Sequence, residues 1–199
     1  MALLETIPKA VINLNQNLDS ITAADILRGL VYQPYLATAT ASSLSFVQNK
    51  MLSVLAGRRP NAQALVFAML GAESQESFAA VNASASSLHA TGTDVIVIGT
   101  NSTPQLQLEM DTIATAISDV YSENWLLPLT IPELQSRFLN AIFANLVAPP
   151  LTYCSTFRTV DVVLVLSMSG RTGPQVSTQF LQLSEQIANL LPLDSVHAE

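Results

Sequence analysis

Three strand-length runs, Ala64–Leu70, Asp94–Gly99 and Val160–Leu166, are apolar almost throughout, and between them apolar residues recur at helical spacing. Short continuous apolar runs mark strands covered on both faces, as in parallel sheets, because both sides of the strand must leave water. Parallel strands need crossover connections, and helices supply them. The alternation therefore predicts an α/β fold: a doubly wound, mostly parallel sheet with helices on both faces.

The remaining elements follow from period and punctuation. Lys9–Leu14 reads as a strand, and Thr22–Tyr32 as a helix opened by a Thr22-x-x-Asp25 capping pattern. Ala39–Ala56 reads as one helix with Leu44, Val47, Met51 and Val54 on its buried face, ended by Gly57 and Pro60. A helix over Ser77–Ala90 carries the stripe Phe78, Val81, Ala85 and Leu88 and stops at Gly92. Pro104–Ile117 is expected to be helical, with Pro104 in the first turn, where a missing N–H costs nothing. Val120–Trp125 reads as a short strand and Pro132–Val147 as a helix lined by Leu134, Phe138, Ile142 and Leu146. Ala148–Thr159 holds Pro149-Pro150 without a period and reads as a linker. Pro174–Leu191 closes the chain as a helix with Val176, Phe180, Leu183, Ile187 and Leu190 in register.

Composition narrows the function classes. Of 199 residues, 49% are hydrophobic and only 12% charged, against about a quarter charged in ordinary domains, so a disordered linker is excluded. The net charge of −7 and the scattered eight Lys and Arg argue against nucleic acid as a partner. No apolar run is long enough to span a bilayer. The opening Met1-Ala-Leu-Leu-Glu has neither a basic flank nor a small-residue cleavage site, so no signal peptide is expected there. The single cysteine, Cys154, cannot form an internal disulfide; it reads as a free or buried thiol, with a link between chains as the alternative.

Four stretches carry a family resemblance. Asp161-Val-Val-Leu-Val-Leu-Ser-Met-Ser-Gly-Arg-Thr-Gly-Pro174 resembles the first strand and metal loop of von Willebrand A (vWA) domains, where a strand runs into Asp-x-Ser-x-Ser and then a helix. Leu36-Ala-Thr-Ala-Thr-Ala-Ser-Ser-Leu44 is similar to the second metal loop, which places a threonine before a helix. Arg59–Ser74 resembles the central strand and the turn carrying the last metal aspartate, and Val95–Thr100 the strand after it. The likeness extends over nearly the whole chain and is nearest in flavour to the tandem A domains of collagen VI α chains of the α3 and α4 types. It implies a Rossmann-like sheet and a non-enzymatic role in protein–protein contact within an extracellular matrix, with collagen or other matrix proteins as partners.

The order of these segments departs from the family's, as either a truncated tandem array or a circular permutation would give. In the family the Asp-x-Ser-x-Ser strand comes first; here it comes last. The expected organisation is a vWA domain over 1–147 lacking its first strand and helix, a linker over 148–159, and that first strand and helix over 160–199. Segment 160–191 then completes the sheet built by 8–147, or completes another chain and gives domain-swapped oligomers.

The resemblance also implies a metal ion-dependent adhesion site (MIDAS), a divalent cation held by hard oxygen ligands from three loops. Residue by residue the ligand set is degenerate. Ser167 stands where the first aspartate would be, Ser169 matches the first serine, Arg171 replaces the second serine, Thr38 matches the threonine, and Leu70 replaces the other aspartate. With both carboxylates gone and a guanidinium added, no metal and no other cofactor is expected. Ser169, Arg171 and Thr38 remain as binding candidates. Arg171 either takes the cation's role toward an acidic partner or is a solvated surface residue.

Nothing in the sequence composes a catalytic set. His89 and His197 lie at a helix end and the chain end, Asp94 and Asp161 precede buried strands, and Tyr121 and Trp125 read as packing residues. Asn82-Ala-Ser84 and Asn101-Ser-Thr103 are glycosylation sequons, with Asn101 in an expected loop. The turn Ser169–Gly173 before a helix admits a phosphate-binding alternative, although it lacks the P-loop lysine. A further alternative is a truncated, non-functional fragment.

Overall fold

The computed structural model describes residues 2–4, 8–16, 18–32, 37–100, 103–123 and 160–190. The expected helix over 132–147, the linker, Trp125, Cys154, Asn101 and His197 lie outside them.

Among the described residues, six strands form one sheet: β1 (Ala2–Leu4), β2 (Lys9–Ala10), β3 (Gln63–Leu70), β4 (Asp94–Thr100), β5 (Val120–Glu123) and β6 (Val160–Ser167). Their order is β2-β1-β6-β3-β4-β5. All neighbours are parallel except β1 and β2. If β6 is counted first, the order becomes 3-2-1-4-5-6, that of the doubly wound nucleotide-binding sheet. The last of the described strands therefore lies inside the sheet, with Val163 beside Val66 and Val165 beside Ala2.

Among the described residues, five α-helices cover the two faces: α1 (Ser20–Arg28), α2 (Thr40–Phe46), α3 (Phe78–His89), α4 (Pro104–Ile113) and α5 (Pro174–Leu190). Strand alternation sorts the core into two layers. Ala64, Val66, Ala68, Val95, Val97, Val163 and Val165 meet α2, α3 and α4 through Leu44, Val81, Leu88 and Met110. Leu65, Phe67, Met69, Ile96, Ile98, Leu164 and Leu166 form the other layer with Leu27 of α1 and Phe180, Leu183 and Ile187 of α5. Each large side chain so buried contributes roughly 1.5–3 kcal/mol.

The beginnings of β3 and β6 are tied by an ion pair. Asp161 is only 3% exposed. Its Oδ2 accepts from the Arg59 backbone N–H at 2.9 Å, and its Oδ1 from Arg59 Nε and Nη2, both at 2.8 Å. Removing one partner of such a pair strands a buried charge, which explains a carboxylate at the start of an otherwise apolar strand.

Several element boundaries differ from the sequence expectation. α1 is capped by Asp19, whose Oδ1 accepts from Thr22 N at 2.7 Å, and not by Thr22; it ends at Arg28, short of Tyr32. Of the expected strand Lys9–Leu14, the structure describes Lys9–Ala10 as strand, paired with Leu3 and Ala2 of β1. The expected helix over 39–56 breaks into three pieces: α2, a π-helical turn over Val47–Met51 in which Leu52 N donates to Val47 O, and a 3-10 turn over Val54–Ala56 capped by Ser53 Oγ. The wide turn changes the angular register. Leu44, Val47 and Met51 stay buried while Val54 swings out to 77% exposure. Gly57 ends this segment at φ 98°, with a Cβ there falling 2.4 Å from Asn15 N.

α4 stops at Ile113 rather than at 117. Thr115 turns back onto β4, its N–H donating to Val95 O and its hydroxyl accepting from Val95 N. In α3, Val81, Ala85 and Leu88 are buried as expected, whereas Phe78, the first residue after the Ser77 cap, is partly exposed.

Candidate functional site

Open α/β sheets bind ligands outside the carboxyl ends of their strands, where the winding direction reverses. Here that crevice lies between β6 and β3. The loop 168–173 leaves the end of β6, the turn 71–77 leaves the end of β3, and residues 37–39 lead into α2.

Three of the five residues read from the metal loops meet in this crevice. Ser169 Oγ lies 2.8 Å from Thr38 Oγ1, and both residues are fully buried. Ser167 Oγ, also buried, lies 2.7 Å from Thr172 Oγ1, which is in turn 3.2 Å from Ser169 Oγ. A continuous chain of four hydroxyls thus runs Thr38–Ser169–Thr172–Ser167. Leu70 is buried at the end of β3 as part of the hydrophobic core and presents no polar atom from its side chain. Arg171 is exposed on the loop. Tyr32 donates to Gly170 O at 3.2 Å and Gln75 N to Thr38 O at 2.8 Å, so loop, turn and helix lead are bound to one another.

Thr172 was invisible to sequence reasoning, since the family pattern directs attention to positions 167, 169 and 171. Its only signal was a hydroxyl three residues after Ser169 inside a glycine-bearing turn.

The carboxylates around the crevice are engaged elsewhere. Glu73 Oε1 accepts from Thr103 Oγ1 at 2.5 Å, Glu76 from the backbone and hydroxyl of Ser42, and Glu109 Oε2 from Ser74 N at 3.0 Å. No group of three or more His, Cys, Asp or Glu is placed to hold a metal ion among the described residues. Neutral hydroxyls bonded to one another are a poor donor set for a magnesium-like dication, which takes at least one carboxylate. The residues at this position do not fit the family's cation.

Glu109 is itself buried on α4, between the turn 71–77 and the core. Burial pushes its carboxyl above the usual glutamate range, the Ser74 N–H opposes the shift, and the charges of Glu73 and Glu76 add to it. The folded chain therefore binds this proton more tightly than the unfolded chain, and stability falls as pH rises through the window just above the ordinary glutamate value. Glu109→Gln keeps an acceptor for Ser74 and removes the charge. Thermal melts across that window are expected to show the slope in the wild type and a flatter profile in the variant, which is at least as stable at neutral pH. Parallel profiles would remove Glu109 as the source.

The other singled-out residues are structural or peripheral. His89 Nε2 is bonded to Ile113 O at 2.9 Å, joining α3 to α4. Asp94 accepts from Gln63 across the start of β3 and β4. Asn82 is exposed on α3, and its sequon partner Ser84 lies 3.1 Å from Ser45 Oγ.

The sequence model of the von Willebrand factor type A domain family matches residues 5–124, more than half of the chain. The chain belongs to that family. Domains of this kind mediate protein–protein interactions and are generally non-enzymatic. No curated protein matches. Among solved structures, the chain is similar to proximal thread matrix protein 1 of the mussel byssus, at 22% identity and a TM-score of 0.57 over 62% of this chain and 32% of that one. A second structure of the same mussel protein, with a zinc-occupied MIDAS motif, matches with a TM-score of 0.56. These likenesses establish the α/β fold of the vWA chain, which spans about a third of the mussel protein's length.

Proposed function

We propose that this vWA chain is a non-enzymatic protein–protein interaction module of extracellular-matrix type, collagen VI-like in flavour, that works without a bound cation. The observation that carries the reading is the crevice itself. At the positions of the family's metal ligands stand hydroxyls that satisfy one another, a buried leucine and an exposed arginine. Of the three binding candidates, Ser169 and Thr38 are buried and Arg171 faces solvent, so contact at this rim falls to Arg171, whose guanidinium suits a partner carboxylate. Localisation to the matrix belongs to the same proposal, as does glycosylation at Asn82 and Asn101.

The domain organisation is part of this reading. Residues 160–190 act as the first strand and helix of one permuted vWA domain rather than as the beginning of another. The position of β6 between β1 and β3 supports it. The phosphate-binding alternative is weakened by the same loop. Its hydroxyls are turned inward on one another, and Pro174 removes an N–H from the first turn of α5.

The test is binding to immobilised matrix proteins, including collagen VI, with and without EDTA. Binding is expected to be unchanged by the chelator and weakened by Arg171→Glu, roughly tenfold if one charge-assisted pair is reversed. Binding that EDTA abolishes would overturn the cation-independent reading.

A further inference from the structure

We infer that Thr172 is the chain's own replacement for the missing cation: an internal plug that closes the crevice and joins its three loops. This rests on the reading of the crevice as a degenerate metal site, and goes beyond it by naming what fills the space. The Thr172 side chain touches two of the three segments directly and reaches the third, at Thr38, through Ser169. Thr172 Oγ1 is 2.7 Å from Ser167 Oγ at the end of β6. It is 3.2 Å from Ser169 Oγ, which passes the contact on to Thr38 at 2.8 Å. Its methyl lies against Gly71, the residue after Leu70, so closely that a Cβ on Gly71 would fall 2.1 Å from Thr172 Cγ2. The backbone turns to deliver it, with Thr172 N donating to Ser169 O at 3.1 Å.

The residue types fit the task. A cation in this family joins loops by gathering charged and neutral oxygens. Without carboxylates there is no charge to gather, and an empty polar space would leave buried hydroxyls unpaired at a cost. A threonine supplies a hydroxyl able to donate to one serine and accept from another, and a methyl that fills the remaining volume against Gly71. Gly71 is needed for the same reason: any side chain there would compete with Thr172 for the same place. The consequence is that returning the lost ligands is not enough to return the metal, because the seat is already taken.

Two measurements on the full chain test this. The first is a double-mutant cycle of thermal stability with Gly71→Ala and Thr172→Ser, the latter keeping the hydroxyl and deleting the methyl. Gly71→Ala is expected to lower Tm by about 5 °C or more beside Thr172, and by clearly less in the Thr172→Ser background. Equal losses in both backgrounds would overturn the plug. The second uses Mn²⁺ as the probe on two folded variants. One carries Leu70→Asp, Ser167→Asp and Arg171→Ser; the other adds Thr172→Ala. Only the second is expected to gain Tm with Mn²⁺ and lose the gain with EDTA. A response of the first as large as that of the second, or a cooperative melt of the second with no Mn²⁺ response, would also overturn the plug. If either variant fails to fold, the cycle decides. A Mn²⁺ response of the wild type that EDTA removes would overturn both the cation-independent reading and the plug, whereas a failed cycle without such a response would overturn the plug alone.

Discussion

A chain ending at residue 150 is expected to show no cooperative unfolding transition, whereas 1–199 melts in a single step. β6 lies inside the sheet, with seven register pairs to β3 and three to β1. Its removal leaves the β6-facing side of β3 without ladder partners from Gln63 to Met69, in a strand buried along nearly its whole length, while the β4 side stays paired. It also removes Val163, Leu164, Val165 and Leu166 from both core layers, and Phe180, Leu183 and Ile187 of α5 from one. At roughly 1.5–3 kcal/mol each, these side chains match or exceed the whole stability of a typical domain, about 5–15 kcal/mol. Urea melts followed by circular dichroism, with ANS binding as a second probe, would read the difference. Equal midpoints and slopes for the two chains would show that the sheet does not need β6, and the single permuted domain would be lost.

The parts of this architecture legible in the sequence were those whose signal is local and strong. β3, β4 and β6 stood out because strands buried on both faces must be apolar at every position, and the α5 stripe because seventeen residues give its period room to repeat. Misread segments were governed by interactions the pattern does not encode. The segment 39–56 has helical periodicity throughout, but one wide turn at Val47–Met51 shifts the phase, so that Val54 leaves the buried face while Leu52 and Ala56 take it up. Asp19 caps α1 from outside the periodic run, where an acceptable Thr-x-x-Asp pattern nearby concealed it.

The crevice divides in the same way. The absence of carboxylates at 167 and 70 is a matter of residue identity and was readable at once. What takes their place was not, since Thr172 acquires its role only when Gly71 is brought against it from a strand about one hundred residues away in sequence. Glu109 is a similar case: in Pro-Gln-Leu-Gln-Leu-Glu-Met it looks like an exposed helix position, and only the turn folded over it makes it buried.

Phe180→Ala is expected to cost about 3–5 kcal/mol, the largest effect of any single truncation on α5. Phe180 is fully buried, and it belongs to the layer formed by Leu65, Phe67, Met69 and Leu166 of the sheet. Its helix follows directly from the loop that carries Thr172, so losing this anchor both opens a cavity and loosens the seat of the crevice. The cost comes from lost transfer energy plus a void that neighbours on a hydrogen-bonded sheet cannot collapse to fill. Leu55→Ala is the control. Leu55 is equally apolar but 91% exposed, and its truncation should change stability by less than about 0.5 kcal/mol. Denaturant midpoints of the two variants, measured at a common slope, would test the pair together. A Phe180 variant as stable as the Leu55 variant would mean that α5 does not pack on β6 and β3, and that neither the buried layer nor the loop geometry resting on it holds in solution.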